Sequence, residues 1–188
     1  MSEKDSLRII QDMIDATKHS LLQDGVIYIY WGWIILFCSL GEYLLMLTTF
    51  KYPYLTWLVM PFAVFRYMHY VKQRRAGSRV KSYIDEYMSV LWRAFIISAS
   101  TILCLFPVIG YERVLPLIII LYGIGTYTSG GVLRFPPLTY GGLANYPLAI
   151  AAFFTSFQNQ LIILSIAVLV SYIIPGYLLK ANFKSRNV

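Results

Sequence analysis

Glu42 is the only carboxylic acid that lies well inside a long apolar stretch of the sequence. A charged carboxylate is costly in hydrocarbon, so such a residue has to find a partner, face a cavity or take up a proton. Lys51 and Arg113 are the basic residues expected at the same end of the protein. Two interpretations stay open for Glu42: a site linked to a proton or a cation, and a structural ion pair.

Two prolines interrupt apolar stretches, and polar residues lie near one of them. Pro61 and Pro147 each fall near the middle of a stretch, where the missing N–H and the ring kink a helix. Matching interrupted helices often mark a substrate site in transporters. Asn145 lies beside Pro147, and its amide needs a partner, a water or a ligand. We therefore expect a substrate site built from Glu42, Pro61, Thr126, Asn145 and Pro147. The alternative is an ordinary kink in which Asn145 bonds to a neighbouring helix.

The elements that would position these residues are unusually apolar. The chain is 58% hydrophobic and 13% charged, whereas soluble domains are about half apolar and a quarter charged. This composition excludes an ordinary soluble domain and a disordered chain, and it indicates an all-α polytopic membrane helix bundle. A transmembrane helix needs about 20 apolar residues. Six segments qualify, and they are 25–47, 53–71, 90–109, 113–133, 138–156 and 160–179.

The basic residues are unevenly distributed between the two sides that six spans define. All but two of the 16 Lys and Arg residues fall on the side of the chain ends; the exceptions are Lys51 and Arg113. Cytoplasmic loops are enriched in Lys and Arg, so both termini are predicted to be cytoplasmic.

Residues 1–24 precede the transmembrane domain of residues 25–188 and are predicted to form an amphipathic cytoplasmic helix. Leu7, Ile10 and Ile14 recur at helical spacing, and the mixed charges are not those of a cationic helix that binds anionic lipid. Gly25 suits the left-handed conformation that ends a helix. We expect this helix to pack on the cytoplasmic face near a basic linker, or alternatively to dock a soluble partner.

The basic linker lies between the second and third segments. Its residues Arg74, Arg75, Arg79 and Lys81 are candidates for contact with lipid head groups or with a partner. The preferred interpretation is simpler: the charges hold this loop on the cytoplasmic side. The basic linker contains no motif that recognises nucleic acid, so no nucleic-acid partner is expected.

Short motifs recur in the same order in the two halves of the chain. Residues 51–57 (KYPYLTW) match residues 134–140 (RFPPLTY), residues 41–43 match 125–127, and a proline followed by Gly-Tyr lies near the end of each half. Two related units of three helices would be inverted relative to each other, a plan that is frequent in transporters. Chance similarity of span ends is the alternative.

Small residues are concentrated in residues 121–131 and 141–144. Such residues let helix backbones approach closely, so the fourth and fifth segments are predicted to form a tight pair. The rival interpretation is that this exposed backbone lines a path.

The sequence contains no recognisable set of catalytic residues. With two cysteines, Cys38 and Cys104, and two histidines, it offers no disulfide framework, metal cluster or haem ligand pair. No nucleophile–base pair or pair of carboxylates is visible. We therefore expect no catalytic residue, no metal and no cofactor, and we do not expect an enzyme.

Residues 30–33 (YWGW), 121–131 and 171–176 (SYIIPG) resemble segments of a family of small, uncharacterised, six-span bacterial inner-membrane proteins. The resemblance implies a location in the bacterial plasma membrane, and it implies no activity.

Two functions are expected. The first is a small transporter-like or channel-like bundle for a neutral or modestly polar solute, because few charges line the spans. The second is a non-catalytic membrane scaffold or regulatory partner that acts through the N-terminal helix and the basic linker. The lipid bilayer is the expected environment. Two possible partners remain open: a second copy of the chain and a cytoplasmic protein.

Overall fold

The computed structural model describes residues 25–48, 50–75 and 83–186, and every secondary-structure element in these ranges is helical. Helix α1 comprises Val26–Leu47. A 3₁₀ helix, Pro53–Leu58, leads directly into α2, Val59–Arg75. Helix α3 comprises Tyr83–Cys104 and is followed by a single turn, α4, at Phe106–Ile109. The predicted N-terminal helix of residues 1–24 lies outside the described residues.

The second half begins with a helical hairpin of α5, Tyr111–Val132, and α6, Pro136–Phe153. The last helix consists of three parts: α7, Phe157–Val168, a π-helical segment, Leu169–Ile173, and α8, Ile174–Arg186. The π segment ends two residues before Pro175, which lacks the N–H that an α-helix would bond to the Ser171 carbonyl. Its ring would also crowd that carbonyl, and the wider π turn avoids the clash.

Among the residues that the structure describes, four helices are long and apolar enough to cross a membrane: Val26–Leu47, Glu86–Cys104, Tyr111–Val132 and Phe157–Ser185. The expectation of an all-helical architecture is therefore confirmed for the described residues, and this architecture is compatible with a membrane protein. The predicted second and fifth segments are also helical, but α2 has 17 residues after its 3₁₀ start, and α6 has 18 residues that include three prolines.

Helix α1 packs antiparallel against the last helix. The Ser39 and Ser165 hydroxyls are 2.7 Å apart, and Gly32 lies against Ile173. At the start of α1, Gly25 adopts the predicted left-handed conformation with φ +71°, and a Cβ there would collide with the Gly176 carbonyl. The beginning of α1 and the end of the last helix therefore lie at the same end of the bundle.

Helices α5 and α6 form the most extensive contact in the described fold, which confirms the predicted tight pair. A Cβ on Gly142 would overlap the backbone of Tyr127, and a Cβ on Gly130 would lie 2.5 Å from the Thr139 nitrogen. These glycines therefore permit backbone-to-backbone packing that any larger residue would prevent.

The turn between α5 and α6 is a Schellman motif. The Phe135 N–H donates to the Gly130 carbonyl at 2.9 Å, and the Arg134 N–H donates to the Gly131 carbonyl at 3.2 Å. Arg134 occupies the left-handed position with φ 49°. Pro136 then begins α6, where no backbone N–H is needed.

The 3₁₀ helix and α2 lie at the edge of the bundle, against α1. The Tyr30 hydroxyl donates to the Ala63 carbonyl at 3.0 Å, whereas most apolar side chains of α2, such as Phe62 at 76% exposure, face outward. Pro61 is the third residue of α2. It thus marks the change from 3₁₀ to α geometry rather than the expected kink in the middle of an α-helix. Pro147 does lie inside α6, as predicted.

Candidate functional site

The buried face of α1 combines aromatic, small and polar side chains. Tyr28, Gly32, Ile35, Ser39 and Glu42 are all buried, and their spacing alternates between four and three residues. This spacing places them on one stripe of the helix. The stripe faces the last helix through Gly32 and Ser39, so α1 presents polar groups to the interior of the bundle.

Helix α5 presents a similar stripe from the other side. Ile119, Tyr122, Thr126 and Ser129 are buried at spacings of three and four residues. The Ser129 hydroxyl donates to the Gly125 carbonyl one turn earlier at 2.7 Å. The Thr126 hydroxyl is also buried but has no such partner. Both α1 and α5 therefore present buried polar side chains to the interior of the bundle.

Four aromatic rings meet between α1, α3, α5 and the π segment. Tyr172 of the π segment contacts Tyr28, Tyr122 and Trp92 in edge-to-face arrangements, with centroid distances of 5.8, 5.2 and 6.3 Å. Trp92 also contacts Tyr28 at 6.3 Å. Offset and edge-to-face ring contacts of this kind each stabilise a core by roughly 0.5–1.5 kcal/mol. The four rings thus pack together and hold α1, α3, α5 and the π segment against one another.

The polar atoms of this region lack partners. The hydroxyls of Tyr28, Thr126 and Tyr172 and the indole nitrogen of Trp92 are buried without a hydrogen bond. The Tyr172 hydroxyl interacts with that of Thr126, and the Tyr28 hydroxyl interacts with that of Ser129; neither contact reaches the geometry of a full hydrogen bond. We refer to Tyr28, Trp92, Thr126 and Tyr172 as the aromatic–hydroxyl cluster. Because buried polar atoms are nearly always paired, four unpaired ones in a single cluster need an explanation.

Asn145 lies next to this cluster and is fully buried. In the amide orientation that satisfies both ends, its nitrogen donates to the Ala167 carbonyl at 3.3 Å. Its oxygen then faces the Ser171 hydroxyl at 3.2 Å and the Gly123 N–H at 3.3 Å. Asn145 therefore joins α6 to α5 and to the last helix, which is the arrangement expected of an amide bonded to neighbouring helices.

Glu42 lies at the opposite end of the α1 stripe and is 6% exposed. The Trp57 indole donates to its Oε2 at 2.6 Å. Within the described part of the chain Glu42 forms no salt bridge, so the predicted ion pair is replaced by a bond to an indole. Burial combined with a single neutral donor leaves the carboxylate poorly stabilised as a charged group.

Gln160 lies at the same end of the bundle as Glu42. Its amide nitrogen lies within 3.2 Å of three carbonyl oxygens, those of Glu112, Ala152 and Thr155. Gln160 thereby ties the beginning of α5 to the end of α6. Its own oxygen is buried without a partner. The residue was not among the predicted site residues, although a glutamine at the start of an apolar segment was the available signal.

The structure brings together part of the predicted site. Thr126 and Asn145 both lie against the π segment, whereas Glu42 lies near the other end of α1. Pro61 and Pro147 are exposed, and α2 and α6 form no extensive interface in the described ranges. Among the predicted linker residues, Arg74 and Arg75 end α2, and Arg79 and Lys81 lie outside the described residues.

Sequence reasoning missed the aromatic members of the cluster. Tyr28 lies at the aromatic-rich start of an apolar segment, a position typical of residues that anchor a helix at the membrane interface, but it is 1% exposed. The signal that could have identified it is the spacing that it shares with Gly32, Ser39 and Glu42. A residue that only anchors a helix at the membrane interface is not expected to share the helical spacing of buried small and polar residues.

The site offers no metal-binding set among the residues that the structure describes: no three His, Cys, Asp or Glu side chains are grouped there. Comparison with protein-family models, with curated proteins and with solved structures gives no match to this chain.

Proposed function

We propose that this protein is a small, transporter-like or channel-like membrane bundle that conducts a neutral or modestly polar solute. The observation that supports this function is a line of buried polar side chains along the contact between α1 and the last helix. We call it the polar seam, and it consists of Tyr28, Ser39 and Glu42 on α1 and of Ser165 and Tyr172 opposite.

The polar seam extends through much of the bundle. From Tyr28 to Glu42 the α1 axis rises by about 21 Å, at ~1.5 Å per residue. That is roughly two thirds of a ~30 Å hydrocarbon core. Polar residues inside membrane helices are costly and commonly mark solute pathways. Since Glu42 is the seam's only ionisable residue at neutral pH, an uncharged solute fits it best.

The proposal includes six spans. The continuous helical run from Pro53 to Arg75 is about 37 Å long, at ~1.5 Å per α-helical and ~2.0 Å per 3₁₀ residue, and α6 is about 27 Å long. Both are long enough to cross the hydrocarbon core, or nearly so. Together with the distribution of Lys and Arg, this supports six spans with both chain ends in the cytoplasm. The bacterial plasma membrane as the location follows from the family resemblance alone.

The inverted three-plus-three repeat stays a prediction. Both copies of the longest motif place a proline in the first turn of a helix, namely Pro53 and Pro136. However, α5 and α6 pack backbone to backbone, whereas α1 and α2 touch mainly through side chains such as Tyr30. The alternative function as a scaffold depends on residues 1–24 and 76–82, which lie outside the described residues.

The transport function can be tested in liposomes that contain the purified full chain. Shrinkage and re-swelling under gradients of formamide, urea or glycerol are followed by stopped-flow light scattering. We expect faster re-swelling than in protein-free liposomes for at least one solute. Thr126→Val, which keeps the side-chain shape but removes the buried hydroxyl, should slow this flux about tenfold, which corresponds to ~1.4 kcal/mol of barrier height.

Thr101→Val is the matched control, because Thr101 is exposed on α3 and its hydroxyl bonds to the Ile97 carbonyl of its own helix at 2.9 Å. Its flux should equal that of the unmodified protein. Rates no higher than in protein-free liposomes for all three solutes would refute the transport function. If Thr126→Val and Thr101→Val change the flux equally, the solute pathway does not run through the interior of the bundle.

A further inference from the structure

Glu42 is a buried carboxyl group to which the structure brings no positive charge. Its side chain is 6% exposed, and within the described ranges it forms no salt bridge. Of the two basic residues at this end of the bundle, Lys51 lies over the Tyr52 ring, 5.3 Å from its centroid, and Arg113 is exposed. A carboxylate that has lost its hydration and has no counter-charge is strongly disfavoured. A proton removes that charge and needs no cavity.

The charged residues of the neighbouring helices lie far from Glu42. Those of α2 follow Ala63, whose carbonyl bonds to Tyr30, and those of α8 follow Gly176, which lies against Gly25. The titratable side chain of the π segment is a tyrosine that also packs against the beginning of α1. Along the α1 axis Tyr30 is about 18 Å from Glu42, at ~1.5 Å per residue. These charges are therefore too far away for a salt bridge.

The groups nearer to Glu42 supply no positive charge either. Helix α7 contains no titratable side chain, and the titratable residue of the 3₁₀ helix is Tyr54, which is 57% exposed. On α1 itself, Cys38 precedes Glu42 by one turn and donates its thiol to the Thr56 carbonyl at 3.3 Å. The phenol of Tyr43, next along the chain, cannot carry a positive charge. Among the described residues, a bound proton is the neutralising partner that remains.

The two oxygens of the Glu42 carboxyl have different surroundings. The Trp57 indole donates to Oε2 at 2.6 Å, and because an indole N–H can only donate, Oε2 is the acceptor. The other oxygen, Oε1, forms no hydrogen bond within the described structure and is not among its buried unpaired atoms. Oε1 therefore reaches the surface of the bundle. This arrangement suits a carboxylic acid whose C=O oxygen is Oε2 and whose O–H oxygen is Oε1.

Oε1 opens close to the end of α1. Glu42 precedes Leu47, the last residue of α1, by five residues, or about 7.5 Å at ~1.5 Å per residue. Tyr52 and Tyr54, which follow, are both exposed, and tyrosines are enriched at membrane–water interfaces. Water at that interface can therefore deliver a proton to Oε1 and remove it.

We propose that Glu42 is a proton-binding site at the end of the bundle where α1 ends. Oε1 carries the proton and exchanges it with the adjacent aqueous phase, while Oε2 accepts the Trp57 hydrogen bond. Loss of the proton places a charge in the contact between α1 and the 3₁₀ helix, so the packing of these two elements depends on pH. The site does not depend on solute flux through the bundle.

Infrared spectroscopy of the full chain in lipid nanodiscs tests the site directly, because the C=O stretch of a protonated carboxylic acid is separate from the bands of carboxylates and amides. We expect this band at neutral pH and its loss in Glu42→Gln, which keeps an oxygen to accept the Trp57 bond. Glu112→Gln is the matched control, since Glu112 is exposed at the start of α5, and it should keep the band. Trp57→Phe should move the band to higher frequency, because the C=O group loses its donor.

Thermal unfolding across a pH series gives a second, independent readout. An unfolded glutamate releases its proton at a pH of about 4.3, whereas the folded chain still holds the proton on Glu42. Above that pH the unfolding equilibrium constant of the unmodified protein should therefore rise relative to that of Glu42→Gln, by up to about tenfold per pH unit, until the folded chain also releases the proton.

Several results would overturn the proton site. They are the absence of the band at neutral pH, its persistence in Glu42→Gln, its loss in Glu112→Gln, and an identical pH dependence of unfolding in the unmodified protein and Glu42→Gln. A band that disappears on addition of Na⁺ would assign the carboxyl to a metal cation instead. If Glu42→Gln does not fold, the frequency shift in Trp57→Phe decides, and an unshifted band there refutes the assignment to Glu42.

Discussion

Replacing Tyr172 by phenylalanine should stabilise the protein and, on the proposed transport function, slow the solute flux. The ring of Tyr172 supports the interior through contacts with Tyr28, Tyr122 and Trp92, and phenylalanine keeps that ring. What is lost is one hydroxyl that is buried and unpaired. Because such a group costs about 1–3 kcal/mol, its removal should increase the free energy of unfolding by a similar amount.

The gain should be visible as a rise in melting temperature. For a chain of 150–250 residues, 1 kcal/mol corresponds to about 2–4 °C, so a gain of 1–3 kcal/mol should raise the melting temperature of Tyr172→Phe by roughly 2–12 °C. The measurement is thermal unfolding of the purified protein, followed by circular dichroism at constant detergent concentration. Tyr140→Phe is the control, because Tyr140 is 70% exposed on α6 and its substitution should change the free energy of unfolding by less than about 0.5 kcal/mol.

A second control lies within the same group of rings. The Tyr122 hydroxyl is not among the buried atoms without a partner, so Tyr122→Phe should not give the same gain. The reasoning is refuted if Tyr172→Phe lowers the melting temperature, since its hydroxyl would then be satisfied in the folded protein. It is also refuted if Tyr122→Phe and Tyr172→Phe stabilise equally, because the gain would then reflect hydrophobicity alone.

Four further outcomes are expected. Gly142→Ala should destabilise the protein by about 1–3 kcal/mol in thermal unfolding, because the new methyl group overpacks against α5. Gly131→Ala is the control: the new methyl group meets open space, so this substitution should be neutral or stabilising by up to ~1 kcal/mol. A double-mutant cycle of Ser39→Ala and Ser165→Ala should give a coupling of about 0.6 kcal/mol, and additive effects would contradict the hydrogen bond between them. Trp57→Phe should cost about 1–3 kcal/mol in the same assay, because the buried carboxylate loses its donor; an unchanged melting temperature would show that another group replaces it. Impermeant thiol labelling of cysteines placed at the two chain ends should modify both from the same side of the membrane, and labelling from opposite sides would exclude an even number of spans.

The positions of the helices could be predicted from the sequence because lipid leaves the backbone no alternative. Within hydrocarbon every N–H and C=O must bond inside its own helix, so a long apolar run implies a helix of similar extent. The first run, 25–47, coincides with Val26–Leu47. The fifth run was placed at 138–156, but α6 is Pro136–Phe153. Pro136 and Pro137 precede the predicted segment but belong to the first turn of α6, where an N–H is not required.

Side-chain partners could be predicted less well, because hydropathy does not specify which face of a helix is buried. An ion pair was one of two interpretations left open for Glu42, and in the structure its partner is the Trp57 indole, which the 3₁₀ helix brings to α1. The 3₁₀ geometry has no signature in an apolar run. The cluster also joins residues more than 140 positions apart, Tyr28 and Tyr172, and such a contact depends on how the helices assemble.

Three departures from ideal helix packing coincide at the end of the polar seam. The last helix widens into a π turn at Leu169–Ile173, the Val170 carbonyl of that turn lies against Gly141 of α6, and Tyr172 of the same turn presents an unpaired hydroxyl. The unpaired hydroxyl lowers stability, and a bundle selected for stability alone would fill its place with an aliphatic side chain. π turns are frequent at functional sites, and proteins break local rules mainly where function requires it. The coincidence of all three within five residues is therefore the strongest structural reason to look for the solute at Tyr172 rather than at the prolines that interrupt the other helices.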